Sequence, residues 1–420
     1  MNYVLLAIPV FFFLMGVEWA VSALVLRRKV YRLNDSINDL SMGVIDQVGG
    51  AFLKTLVFMG YLYIWERWRL MDMGAAHLWD PAAPLPVWVL CFLLQDLMYY
   101  WAHRVSHERN LGWATHIAHH QSEEFNLAVA LRQGVFQGLF FWVFYLPLAL
   151  VGFPPAVFAA VTQVNALYQF WIHTRIIGKL GPLEWVFNTP SHHRVHHGCN
   201  PKYIDRNHGG TLIIWDRLFG TFQEEEEEPQ YGTVTPLKSW NPLWAQVYYF
   251  ARLLALARVT PSWRDRLRLW FKPPAWRPAA VEEDKTPETR QPGYEKYDAR
   301  APRLLGAYAA VHFVVILTLA VGFVGAESAM PAGQRILAAL LIFATVLSLG
   351  GIFDRRRWTP FVEAARLLAL GASLGAYGGG LYGWPVFQGA GANLATLFLV
   401  AASLVVLFLR RSCFVASRAS

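Results

Sequence analysis

Nine mostly apolar stretches, each close to the length of a membrane crossing, run through the chain: Val4–Leu26, Met42–Trp65, Leu85–Trp101, Val135–Phe153, Pro154–Ile172, Leu304–Val324, Ile336–Ile352, Phe361–Tyr382 and Leu394–Leu409. A hydrocarbon core about 30 Å thick needs about 20 such residues per helix. Inside lipid every backbone polar group must find its partner within the protein, which restricts spanning structures to helices and closed barrels. Runs of this length and continuity select helices. The composition agrees, with 55% hydrophobic residues, 16% charged residues and 18 tryptophans in 420 positions. An all-α, polytopic membrane helical bundle is the expected fold class.

The net charge of +8 could point to nucleic acid, but the cations sit beside the apolar spans, at Arg27-Arg28-Lys29, Arg355-Arg356-Arg357 and Arg410-Arg411. That placement marks topology or contact with lipid headgroups, and no nucleic-acid partner is expected. With the N-terminus outside, these clusters and every histidine cluster fall on one side, which the positive-inside tendency makes the cytosol. Arg67 and Arg69, near an outer end, are exceptions, and Val135–Ile172 reads alternatively as a re-entrant pair. Cys91, Cys199 and Cys413 are isolated, so neither a disulfide framework nor a thiolate metal site is offered. The first apolar stretch lacks a basic leader and a cleavage pattern and reads as a retained span. Three regions are expected: a catalytic membrane domain over 1–250, a polar linker over 251–302, and a four-span region over 303–420 that carries no motif. Within the polar part, Glu224–Glu228 reads as a solvated loop and Pro273–Pro302 as a flexible linker.

Eleven of the thirteen histidines lie between His103 and His208. They form His103-x3-His107, His116-x2-His119-His120 and His193-x2-His196-His197, with His173 standing between the second and third clusters. Residues three or four apart share a helix face, so each cluster can aim two or three imidazoles at one point. A single histidine at a membrane interface is usually an ordinary polar residue. Three spaced clusters in one window point instead to metal. Nine imidazoles, His103, His107, His116, His119, His120, His173, His193, His196 and His197, exceed the needs of one zinc and suit two ions of higher coordination number. Imidazole alone does not select iron over copper, nickel or zinc. The expected architecture is therefore a membrane bundle with a histidine-rich di-metal site, capped by a cytosolic helical segment. Asp96, on the same helix face as Tyr100, His103 and His107, is expected to accept a ligand's second ring N–H. His77 and His312 stand alone and read as structural.

The runs His103-Arg-Val-Ser-His107-Glu108, Ser122 through Gln133, Asn188-Thr-Pro-Ser-His-His-Arg-Val-His-His197, and Trp215 through Phe222 resemble the fatty acid hydroxylase/sterol desaturase superfamily of membrane di-iron enzymes. Together they are similar to its alkylglycerol monooxygenase branch, over roughly residues 5–250. The resemblance implies two Fe ions held by the eight motif histidines, joined by His173. Glu108 matches an acidic residue of the branch and is implied to hold a ligand or relay a proton. His192, and His208 where the branch is expected to carry an aromatic, read as neighbours rather than ligands. The implied reaction uses O2 and an external reductant or electron donor to hydroxylate a lipid C–H. At the ether α-carbon of an alkylglycerol, this gives cleavage to an aldehyde and a glycerol derivative. Tetrahydrobiopterin is the cofactor the branch implies. A pterin site at Glu123, Glu124, Asn126, Arg132 and Gln133 competes with a simpler reading in which these residues cap helices and anchor the metal site. No GxGxxG after a strand, no CxxCH and no ferredoxin cysteines occur, so no redox domain is fused.

Two other readings follow from the same residues. One keeps the superfamily but makes the enzyme a hydroxylase or desaturase of a fatty acyl, sterol or carotenoid substrate. The other is a metal-transporting or metal-sensing membrane protein, which predicts ionisable residues along a path through several spans. The histidines gather instead at span ends.

Overall fold

The computed structural model describes residues 3–74, 83–278, 281, 294–299, 301–377 and 390–414. His77, residues 282–293 of the expected linker and residues 378–382 of one expected span lie outside them. Regular structure among the described residues is helical, and the extended pairings are two isolated bridges, Phe187 with Leu212 and Gly198 with Tyr231. The chain divides into two compact units, one of Met1–Arg32, Phe52–Leu237 and Gln246–Glu295, the other of Leu33–Ala51, Lys238–Ala245 and Lys296–Ser420.

The first unit holds α1 (Tyr3–Ala20), the C-terminal part of α2 (Leu33–Trp68), α3 (Leu85–Glu108), α4 (Asn110–His120), α5 (Gln137–Val151), α6 (Pro155–Trp171), α7 (Pro190–His196), α8 (Ile214–Phe219), most of α9 (Pro242–Val259) and α10 (Trp263–Phe271). α3 is the axis: it packs against α4, α5 and α6, while α1 lies on α6. Their shared core includes Tyr61, Trp65, Cys91, Phe141, Tyr145, Phe153 and Phe158. Pro154 and Pro155 start α6 directly after α5. The corner is pinned from α2, where Tyr61 donates to the Phe153 carbonyl at 3.0 Å and the Trp65 indole to that of Gly152 at 3.1 Å.

Among the described residues, four helical stretches are long and apolar enough to cross a membrane: Leu5–Val25, Leu85–Glu108, Arg303–Ala329 and Ala332–Asp354. A fifth is bent by 46° between Leu33–Leu53 and Leu56–Trp68. With 15 residues in α5 and 17 in α6, that pair is shorter than the separate crossings expected from the sequence. At about 1.5 Å per residue neither reaches across a core of about 30 Å. The structure also places helix inside the expected linker. Ser262 caps α10 by accepting from the Asp265 N–H at 3.3 Å. Leu269 of α10 is buried with Ile117, Tyr249 and Leu253.

The second unit contains α11 (Arg303–Ala326), α12 (Ala332–Asp354), α13 (Thr359–Tyr377) and α14 (Ala390–Leu409), with consecutive helices in contact. Buried in it, Glu363 pairs with Arg366 at 2.5 Å and accepts from Ser348 at 2.5 Å and from the Tyr308 hydroxyl. His312 pairs with Ser403 at 2.9 Å. These bonds join all four helices through groups that apolar surroundings would otherwise penalise.

Candidate metal centre

The nine expected histidines converge in two groups inside the first unit. His103, His107, His116, His120 and His196 form one, and His119, His173, His193 and His197 the other. Within each group one donor atom per residue lies within 4.8 Å of all the rest. Every one of the nine is buried. α3 supplies the first pair one turn apart. The chain then breaks at Arg109 and turns back as α4, bringing three more alongside. That return needs Gly112, because a Cβ there would stand 2.6 Å from the Ser106 Cα. His173 follows the end of α6, and α7, started by Pro190, carries His193 and His196 and ends at His197.

The hydrogen bonds fix which nitrogen faces inward. The Nδ1 atoms of His103, His119, His173 and His196 pair with the backbone carbonyls of His208, Arg132, Gln169 and Arg206 at 2.7–3.0 Å. His116 Nδ1 pairs with the Gln137 side-chain oxygen at 2.7 Å. Oxygens of this kind only accept, so these Nδ1 atoms carry the proton and the opposite Nε2 presents a lone pair. Those Nε2 atoms meet one another, His103 with His116 at 3.0 Å and His119 with His173 at 3.3 Å. Two lone pairs facing at such distances repel, and a cation between them removes the conflict. His107 Nε2, His196 Nε2 and His197 Nε2 are also buried without a hydrogen-bond partner. Each such orphan costs about 1–3 kcal/mol if nothing binds it. The donor set therefore fits one metal ion per group.

Electrostatics points the same way. Burial is the first cause holding His116, His120, His173, His193 and His197 well below the usual imidazole range, with neighbouring imidazoles mostly adding to it. Burial also lowers His119 to about 4 and His196 to about 3. These rings are neutral at pH 7, the form that binds metal.

Asp96 does not meet a ligand's ring N–H. Its oxygens accept from the Thr211 and Leu212 amides at 2.8 and 3.1 Å, the Trp215 indole at 2.9 Å and the Asn165 side chain at 2.7 Å. It acts on the site indirectly, by holding the loop whose His208 carbonyl orients His103. Gly210 makes this approach possible, since a Cβ there would lie 2.9 Å from the Asp96 oxygen. Glu108 pairs with Arg104 at 2.8 Å on the half-exposed face of α3, outside both groups. His192 turns away, buried between Glu184 and Phe222. His208, by contrast, lies beside the five-histidine group.

The segment considered for a pterin is occupied by anchoring contacts. Arg132 donates to the Ala118 carbonyl at 2.6 Å and to Gln121 at 3.0 Å, Asn126 to Val30 at 2.7 Å and Gln133 to Ala130 at 2.9 Å, Glu124 pairs with Arg32 at 2.9 Å, and Glu123 accepts from Tyr294. The acidic run is not simply a solvated loop either. Glu225 takes a two-pronged bond from Arg194 at 2.6 and 2.7 Å, and Arg194 also donates to the Thr174 and Ile177 carbonyls. The third histidine cluster is thereby tied to the segment after His173. Sequence reasoning also missed Glu18 of α1, buried and accepting from the Leu127 amide at 2.8 Å and from the Thr174 and Tyr31 hydroxyls. An acidic residue inside an apolar span was the available signal.

The fatty acid hydroxylase family model matches residues 88–221, which contain all nine histidines. The alkylglycerol monooxygenase of Xenopus tropicalis is 40% identical over 361 residues, 86% of this chain and 79% of that protein. The human alkylglycerol monooxygenase is 38% identical over 371 residues, 87% of this chain and 81% of that protein. An ornithine lipid hydroxylase of Rhizobium tropici is 32% identical over 149 residues, 35% of this chain and 45% of that protein. No solved structure matches. With its apolar helices and this extent of likeness, the chain belongs to the alkylglycerol monooxygenase family within the fatty acid hydroxylases, as a multi-pass membrane enzyme that carries out oxygen-dependent lipid monooxygenation.

Proposed function

We propose that the two histidine groups each hold one iron ion and that the enzyme hydroxylates the ether α-carbon of alkylglycerol lipids. The observation that carries the metal reading is the set of inward lone pairs fixed by outward Nδ1–H bonds. The alkylglycerol substrate rests on the two relatives of that name, each aligned over more than four fifths of this chain. Iron, when bound, supplies activation of O2 for attack on an unactivated C–H bond. The protein's own part is to keep the donor rings neutral, aimed and shielded from water. His103, His116, His119, His173 and His196 are locked in one tautomer by their oxygen partners. Arg194 and Asp96 hold the segments that bear or orient the rings.

The balance of the proposed reaction is one C–H oxygenated by one atom of O2, with the second atom leaving as water at the expense of two electrons and two protons. The resulting hemiacetal breaks its C–O bond to give an aldehyde and a free glycerol hydroxyl. The electrons come from outside the chain, with tetrahydrobiopterin the proposed donor. The domain proposed to carry this chemistry is the 1–250 region, with the histidines facing the cytosol. Transport is disfavoured because the ligands gather in two compact groups rather than along a path. The test is product analysis: purified protein, O2 and tetrahydrobiopterin are given an alkylglycerol, an alkyl-free acylglycerol and a sterol. Aldehyde from the ether substrate alone is expected. Hydroxylated or desaturated acyl or sterol product without aldehyde would refute the ether-lipid reading.

A further inference from the structure

We propose that His208 is a sixth imidazole donor to the ion of the five-histidine group, an inference that rests on the two-ion reading above. Its ring centroid lies 5.1 Å from that of His107, 5.7 Å from His103 and 5.8 Å from His196, three members of that group. Its donor atoms stand outside the set that meets within 4.8 Å, wider than two ligands of one ion can span, so the ring must swing inward when the ion binds. The residue is 0% exposed, and neither ring nitrogen makes a hydrogen bond of ordinary geometry, the Asp205 backbone being the ring's one weak polar neighbour.

The backbone around it is fixed from both sides. The His208 amide donates to Asp216 Oδ1 and that of Gly209 to Oδ2, both at 2.7 Å, while the His208 carbonyl receives the His103 ring N–H at 2.8 Å. The imidazole is therefore held beside the group by the same carbonyl that orients one of its members. As packing, a phenyl ring would serve this position, lined by Tyr100 and by the rings of His103, His107 and His196, without burying two polar ring atoms. The lone pair of this imidazole gains its share of the cost back from a cation or a donor, and the neighbouring rings offer a cation site.

The consequence is an asymmetric pair. With His208 the five-histidine group would offer six imidazoles against four in the other group, leaving the four-histidine group the fewer protein donors. Exogenous ligands would then enter at the group of His119, His173, His193 and His197.

The test uses the full-length protein, stripped of metal and titrated anaerobically with ⁵⁷Fe(II), followed by Mössbauer spectroscopy, for wild type, His208→Phe and the smaller His208→Leu. The expected result is two ions in wild type, one of which binds the variants about 10–100-fold more weakly. One of the two iron signals should change and the other stay, and the metal-free unfolding midpoint of His208→Phe should not fall. Wild-type affinity and unchanged signals in both variants would overturn the proposal. So would loss of both ions together with a lower metal-free midpoint, which would make His208 a packing residue. Fewer than two ions in wild type would instead overturn the two-ion reading beneath it.

Discussion

The ring N–H of His116 meets the side-chain oxygen of Gln137 at 2.7 Å, joining the second histidine cluster to the first residue of α5. Among the Nδ1 contacts that orient rings through an oxygen acceptor, this one uses a side chain, so it can be altered without touching the backbone. Gln137→Leu should weaken iron binding at the five-histidine group by about 10–100-fold, while Gln137→Glu, which still accepts, should keep it. Anaerobic metal titration reads the difference. Equal affinity in both variants would show that the contact does not orient the ligand.

Asp96 accepts four N–H bonds, from Thr211, Leu212, Trp215 and Asn165. Asp96→Asn turns a donating amide toward at least one of those donors and removes the charge. Chemical denaturation should report a loss of about 1.5–3 kcal/mol. Metal affinity should fall as well, because the loop that presents the His208 carbonyl to His103 loosens. An unchanged denaturation midpoint would contradict the role assigned to this carboxylate.

Arg194 reaches two oxygens of Glu225 and the carbonyls of Thr174 and Ile177. Lysine keeps the charge but cannot hold a forked bond and two carbonyls together. Arg194→Lys is expected to cost about 1.5–3 kcal/mol. Ion binding at the four-histidine group, which contains His173 and His193, should be weakened more than at the other. Equal weakening at both groups would count against this clasp.

Acid should unfold the metal-free protein for a specific reason. His119 titrates at about 4 and His196 at about 3, against an ordinary value of 6.5, because burial disfavours their charged form. The unfolded chain thus takes up protons first. The stability these neutral rings allow is complete above pH about 6.5, falls steadily below it, and is fully lost once pH has passed the folded values of about 4 and about 3. Denaturation midpoints of stripped protein measured from pH 8 to 4 should be flat at first and then decline. A rise on acidification would have the wrong sign.

The histidine spacings made the convergence of the nine rings legible because helix periodicity converts i, i+3 and i+4 directly into a shared face. The apolar runs likewise made the bundle legible, since in lipid their backbone needs leave little choice. What stayed hidden depends on contacts distant in sequence. The partner of Asp96 is a loop 115 residues away, and no local pattern distinguishes that loop from a ligand ring. Glu225 looked solvated because its run is acidic throughout, and only the folded chain shows that Arg194 selects it. The division of nine histidines into five and four was invisible too. His119 and His120 are adjacent in sequence yet serve different groups, since adjacent helical residues point about a quarter-turn or more apart.

The central claim is that each histidine group holds its own ion, and iron stoichiometry in purified, reconstituted protein tests it most directly. Wild type should bind two iron ions per chain. A double substitution in the four-histidine group, His173→Ala with His193→Ala, should leave one, still bound by the other group. A single ion in wild type, or loss of both when only one group is altered, would contradict two separate sites.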